Sequence, residues 1–105
     1  MADTHEISLP EAKIMTTAYR NSAFFTENGN RRAIAFNKEA ILRVVEQQGS
    51  NGLRCYFALD KDNLITLVLA AYDPDGNDIV GADKQLAEWG RPCPVFCSID
   101  NDLNI

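Results

Sequence analysis

The stretch "LRCYFALDKDNLITLVLAAYD", Leu53 to Asp73, decides the fold. Its first part alternates. Leu53, Cys55, Phe57 and Leu59 fall on one side, and Arg54, Tyr56, Ala58 and Asp60 on the other. That is the period of a strand with one face buried. Its second part, 64–73, is apolar on both sides, which marks a central strand or one whose second face is also covered. Asp60-Lys61-Asp62-Asn63 between them is turn chemistry. The reading is an antiparallel hairpin. Cys55 is expected in the core beside Leu53 and Phe57, as a small hydrophobe. Arg54 points to the opposite face, so it does not give Cys55 the electropositive setting of a reactive thiol.

Upstream of the hairpin, Asn37 caps a helix. Phe36 before it and Ile41 within it form a hydrophobic staple. Ile41, Val44, Val45 and Gln48 lie on one side, and Gly49 suits the positive φ that ends a helix. "RAIAF", 32–36, is a short apolar run that reads as a strand. Further back, Ser8-Leu9-Pro10-Glu11 is a capping box. Leu9, Ala12, Met15, Ala18 and Tyr19 then recur at helical spacing. "TENGN", 26–30, reads as a loop.

Downstream, "DPDGND", 73–78, is a turn with Pro and Gly at turn positions. It spaces its acids wrongly for a calcium loop, which needs Gly at position 6 and Glu at position 12. "IVG", 79–81, reads as a short return strand, and "KQLAEW", 84–89, as a short helix capped by Asp83 and stopped by Gly90. Pro92 and Pro94 argue against regular structure just beyond. The predicted fold is α+β: a small, mainly antiparallel sheet with two helices packed on one face and an irregular C-terminal tail. A chain of 105 residues makes one domain, 1–105. Residues 1–6 are read as mobile, and 90–105 as a Pro/Cys tail packed on the domain.

Composition excludes several classes. The formal net charge is −5, from 15 acids and 10 bases. Such a surface disfavours nucleic acid and anionic membranes, which need positive charge against phosphate. No apolar run reaches the roughly 18 residues of a membrane span. The polar start lacks a signal-peptide core. These features predict a cytoplasmic protein whose three cysteines are thiols. No phosphate loop, nucleophile elbow or paired-His motif is present, and His5 is the only histidine.

Two features carry what functional signal there is. Cys93 and Cys97 have C-x3-C spacing. Zinc accepts that spacing but needs four ligands, and the chain has no second pair. Asp100, Asp102, His5 or the same pair in a second subunit would have to complete the set. A disulfide needs Cα atoms within about 7 Å, which an extended x3 segment exceeds and a single helical turn with Pro94 at its start nearly meets. Structural thiols, a disulfide and a metal site are the three readings. The second feature is apolar surface. Tyr56, Val68, Ala70 and Tyr72 share the sheet face turned away from the helices. Trp89, Val95 and Phe96 of the tail are expected to cover it. Without that cover the face is a partner interface, for a second copy or another protein.

Four stretches, "ISLPEA", "GLRCYFALD", "YDPDGNDI" and "GRPCPVFC" with "DLN" after it, occur here in an order that resembles a family of small Bacteroidetes-type bacterial proteins. That family has a Pro-Cys-Pro-x-x-Cys tail and no assigned activity. The resemblance spans roughly the whole chain and implies that the tail belongs to the domain. It brings no cofactor or catalytic residue. The expectation is a non-enzymatic interaction or assembly module, with Tyr56, Val68, Tyr72, Trp89 and Phe96 as its face and a homodimer as one form. The alternative is a thiol redox or zinc-binding protein using Cys93 and Cys97.

Overall fold

The computed structural model describes residues 4–104. The expected mobile start therefore falls, for residues 1–3, outside the described residues, as does Ile105 at the end of the tail. The element order is α1 (Leu9–Arg20), α2 (Ala23–Glu27), β1 (Ala33–Ala35), α3 (Lys38–Val45), β2 (Gly52–Leu59), β3 (Ile65–Tyr72), β4 (Leu86–Ala87) and β5 (Arg91–Cys93). The architecture is α+β with two small antiparallel sheets, ordered β2-β3-β4 and β1-β5.

The hairpin forms as its alternation requires. β2 and β3 pair from Gly52↔Tyr72 to Leu59↔Ile65. Asp60 closes the turn, its Oδ1 accepting from the backbone N–H of Asp62 and Leu64. Asp73 closes the next turn in the same way, accepting from Asp75 and Asn77. The apolar β3 is central, with β2 on one edge and β4 on the other.

α3 starts where its cap predicts. Asn37 Oδ1 accepts from the Ala40 N–H at 2.8 Å. Its Val44 is fully buried and meets Leu69, Ala71 and Ala87 in the core, with Phe36, Ile41 and Leu53 packed around them. Of the two longer helices, α3 is the one packed on the three-stranded sheet; α1 packs on α2 and buries no residue. The Ser8 cap is present, its Oγ accepting from the Glu11 N–H and donating to the Glu11 carboxylate.

The segment 84–89 is not a helix. Leu86-Ala87 forms the third strand, opposite Ala70 and Leu69. A central β3 leaves a second edge of backbone groups to be paired, and these two residues pair it while burying Ala87. Gln47 fixes the approach. Its Oε1 accepts from the Gln85 N–H and its Nε2 donates to the Gln85 carbonyl. Residues 79–81 make no strand, although Ile79 N–H still bonds the Ala71 carbonyl. Pro92 also lies in a strand, which β5 tolerates because a two-stranded sheet consists only of edges.

The molecule is flat and open. Its extents are 39 × 38 × 23 Å with a radius of gyration of 15.3 Å, against about 13 Å for a compact chain of this length. Its accessible surface is 7856 Å², where a compact monomer of 11.7 kDa exposes about 5900 Å².

Candidate functional site

α3 packs chiefly over β3 and β4 and covers little of the edge strand β2. Leu69, Ala71 and Ala87 are buried beneath it, with Leu53 and Leu67 packed against them. On the same face Phe57, directly opposite Leu67, is 82% exposed and Leu59 66%. Cys55 is exposed as well. Its expected place in the core is thus corrected: β2 is an edge strand, and the core forms over its neighbours, Leu69 of β3 opposite Cys55 and Ala87 of β4 beyond it. The alternation of β2 shows that these residues share a face. It holds no sign of which strand lies at the edge of the sheet.

The opposite face is open only toward β2: Tyr56 is exposed, Val68 and Tyr72 are half-buried, and Thr66 and Ala70 are buried. Arg54, Tyr56, Val68, Ala70 and Tyr72 lie together there, with Tyr56 directly opposite Val68 and Arg54 opposite Ala70. Tyr72 lies over Gly52, where an added Cβ would stand 2.5 Å from the phenol oxygen. The Arg54 guanidinium sits 5.0 Å from the Tyr72 ring centroid. It also pairs with Asp78 at 2.5 Å, and the Tyr56 hydroxyl donates to the other Asp78 oxygen. Asp78, from the turn after β3, is the hub that sequence reading missed. The bridge that places it opposite Tyr72 depends on how the 73–78 turn closes.

The five predicted face residues divide into two groups. Tyr56, Val68 and Tyr72 are together on the open face. Trp89 is 83% exposed and Val95 94%, so neither covers it. The tail instead pairs with β1. Phe96 packs under Arg91, with the guanidinium 4.2 Å from its ring centroid, and the Phe96 N–H bonds the Pro92 carbonyl. Arg20 donates to the Leu103 carbonyl at 2.8 Å, which ties the end of the tail to α1.

That return turn brings Cys93 and Cys97 together as a disulfide, with Cα atoms 4.8 Å apart. The expected thiols are corrected here: the chain between them is a tight turn and not an extended x3 segment. Cys93 is buried and Cys97 exposed. No group of three or more His, Cys, Asp or Glu side chains placed to hold a metal occurs among the described residues. No described helix is long and apolar enough to cross a membrane.

The electrostatics of the open face are internally closed. The Tyr56 hydroxyl bond and the Arg54 guanidinium hold the Asp78 carboxyl below its ordinary 3.8. The same bond to Asp78 raises Tyr56 above 10.0. At the hairpin turn, the Leu64 N–H and Arg31 hold Asp60 below 3.8. A lowered carboxyl stabilises the fold above its unfolded value and loses that contribution as pH falls through the folded one. A raised phenol stabilises below its unfolded value and loses its contribution as pH rises through the folded one. Urea midpoints are therefore expected to fall as pH drops from about 5 to about 2, and again above 10.0. Asp78→Asn should flatten both limbs and bring the Tyr56 phenol titration down. An unchanged phenol titration in that variant would break the assignment.

No family model, curated protein or solved structure matches the chain.

Proposed function

We propose that this chain is a small, non-enzymatic protein-interaction module. Its working surface is the outer half of the three-stranded sheet: the open face around Tyr56 and Tyr72, and the exposed end of β2. The observation that carries the reading is the exposure of Phe57 and Leu59 on an ordered edge strand. Large apolar side chains held out on a rigid strand stabilise nothing in the isolated chain, and contiguous apolar surface of this kind marks a binding site. The polar groups on the opposite face of the same strand favour the same reading. Arg54, Tyr56 and Asp78 satisfy one another, so they anchor the face and leave no free acid or base poised for chemistry.

The exposed sulfur of Cys97 favours a second reading, thiol–disulfide exchange. An incoming thiolate would attack Cys97 and expel Cys93. Cys93 is 4% exposed, and burial in apolar surroundings disfavours the thiolate that must leave. A structural clasp for the β5 turn therefore accounts for the pair better than catalysis does.

The test is site-specific photocrosslinking in cells. A photoreactive residue at Phe57 is expected to give discrete adducts, and one at Lys13 on the exposed side of α1 none. An adduct pattern identical at the two positions, or none at Phe57, would sink the interaction reading.

A further inference from the structure

The geometry points to a second copy of this chain as the partner, docked edge to edge along β2 to make one six-stranded antiparallel sheet. The inference rests on the interaction reading above and names the occupant of that surface.

Three observations converge on it. β2 is eight residues long, and its outer edge pairs with no strand among the described residues. An edge of unpaired N–H and C=O groups is a template for another strand. Natural edges that stay monomeric are blunted by charge, proline or a bulge. Gly52–Leu59 contains no proline and pairs in unbroken register with β3. Its one charge, Arg54, is neutralised by Asp78. Two copies can therefore approach without like-charge repulsion at the edge, despite a net charge of −5 on each.

Symmetry then fixes the register to a small set. A twofold axis relating antiparallel strands runs perpendicular to the sheet, so like faces stay on the same side. The register that pairs all four apolar residues of β2 sets Tyr56 against its own copy, Cys55 against Phe57, and Leu53 against Leu59. Phe57 and Leu59, uncovered within one chain, would then be flanked by the partner's copy of the same strand, which shields the side of each that faces the edge. A heterologous partner would have to bring an unrelated strand with the same alternation. A second copy carries it already.

The test uses the purified full chain in sedimentation equilibrium from about 1 to about 200 µM. A dimer is expected. Phe57→Lys and Leu59→Lys change residues that the isolated chain leaves exposed, so both should fold with an unaltered circular dichroism spectrum. Each should weaken the dimer by about 100-fold, because a substitution enters a twofold interface twice. Cys55 is the one free cysteine among the described residues. In the favoured register it lies diagonal to its copy, about 7–8 Å away. A bismaleimide of that span should link two chains through Cys55, and Cys55→Ser should abolish the link. A monomer throughout the concentration range overturns the proposal. So does a dimer that both lysine variants leave intact and Cys55 fails to cross-link. A monomer whose Phe57 position still captures a different protein in cells overturns the second copy alone and leaves the interaction reading standing. A monomer with no adduct at Phe57 removes both.

Discussion

Leu69→Ala is expected to destabilise the protein by about 3 kcal/mol, the usual range for a buried leucine being about 2–5. Leu69 is 3% exposed, at the centre of β3. Cys55 of β2 flanks it on one side and Ala87 of β4 on the other. Its side chain meets Val44 on the underside of α3. The other members of that buried cluster are Val44, Ala71 and Ala87, so Leu69 is its largest side chain. Two alanines cannot move in to fill the space it leaves, and little of the cavity can collapse. The cost is serious because the whole fold is supported by few buried groups, and a small domain has about 5 kcal/mol or little more to lose. The melting temperature should fall by about 12–24 °C. Ile14→Ala on α1, a residue 70% exposed, should change stability by less than about 0.5 kcal/mol. Both are best measured at one protein concentration, because self-association would link stability to it. A Leu69→Ala loss below about 1 kcal/mol would mean that α3 is not seated on β3 as described.

The contrast between Leu69 and Leu59 shows which parts of the structure the sequence carries. Both leucines sit in strands of the same hairpin and on the same face. Alternation predicts that shared face, and the hairpin, its turn and the cap of α3 were all legible from local chemistry. What separates a core leucine from an exposed one is which strand is central, and that depends on the side of the sheet on which β4 adds. That property is not local. β4 itself is two residues long, too short to show a period, and its flanking residues also suit a helix. Its strand identity comes from the vacant edge of β3 and from Gln47, which lies 38 residues away from Gln85. The open face was predicted with Tyr56, Val68 and Tyr72, but its organising acid was not. Asp78 has the same local chemistry as its turn neighbours Asp73 and Asp75. Only the closing of that turn brings it to Arg54. The tail misled in the opposite direction. Trp89, Val95 and Phe96 looked like a cover because they are apolar, but β1 offered the tail a strand to pair with, which drew it to the second sheet, where Trp89 and Val95 are exposed and Phe96 packs under Arg91.

That crossing from one sheet to the other passes through Gly90, and Gly90→Ala is expected to cost about 2 kcal/mol. The segment between β4 and β5 turns at Trp89, whose φ of 64° is in the left-handed region that a bulky residue rarely occupies. The Glu88 carboxylate holds the turn, accepting from the Trp89 N–H at 2.6 Å and from Thr66 Oγ1 at 3.1 Å. Gly90 then passes directly against β1. A Cβ placed there would stand 2.4 Å from Ile34 Cγ2 and 2.8 Å from Phe36 Cζ. Phe36 cannot swing away freely, because it packs on the core beside Ile41. Ile34 sits opposite Pro92 in the two-stranded sheet. One extra methyl therefore forces either the β1–β5 pair apart or Phe36 off the core, an overpacking cost of about 1–3 kcal/mol. The cause can be isolated by a second substitution. Ile34→Ala removes the nearest methyl and should itself destabilise, but the double variant Gly90→Ala, Ile34→Ala should be more stable than the two single effects added together. A favourable coupling of about 1 kcal/mol is within the range seen for residues in contact. Additive losses would show that the methyl is accommodated elsewhere, and that the junction between the two sheets is looser than the approach of Ile34 and Phe36 to Gly90 implies.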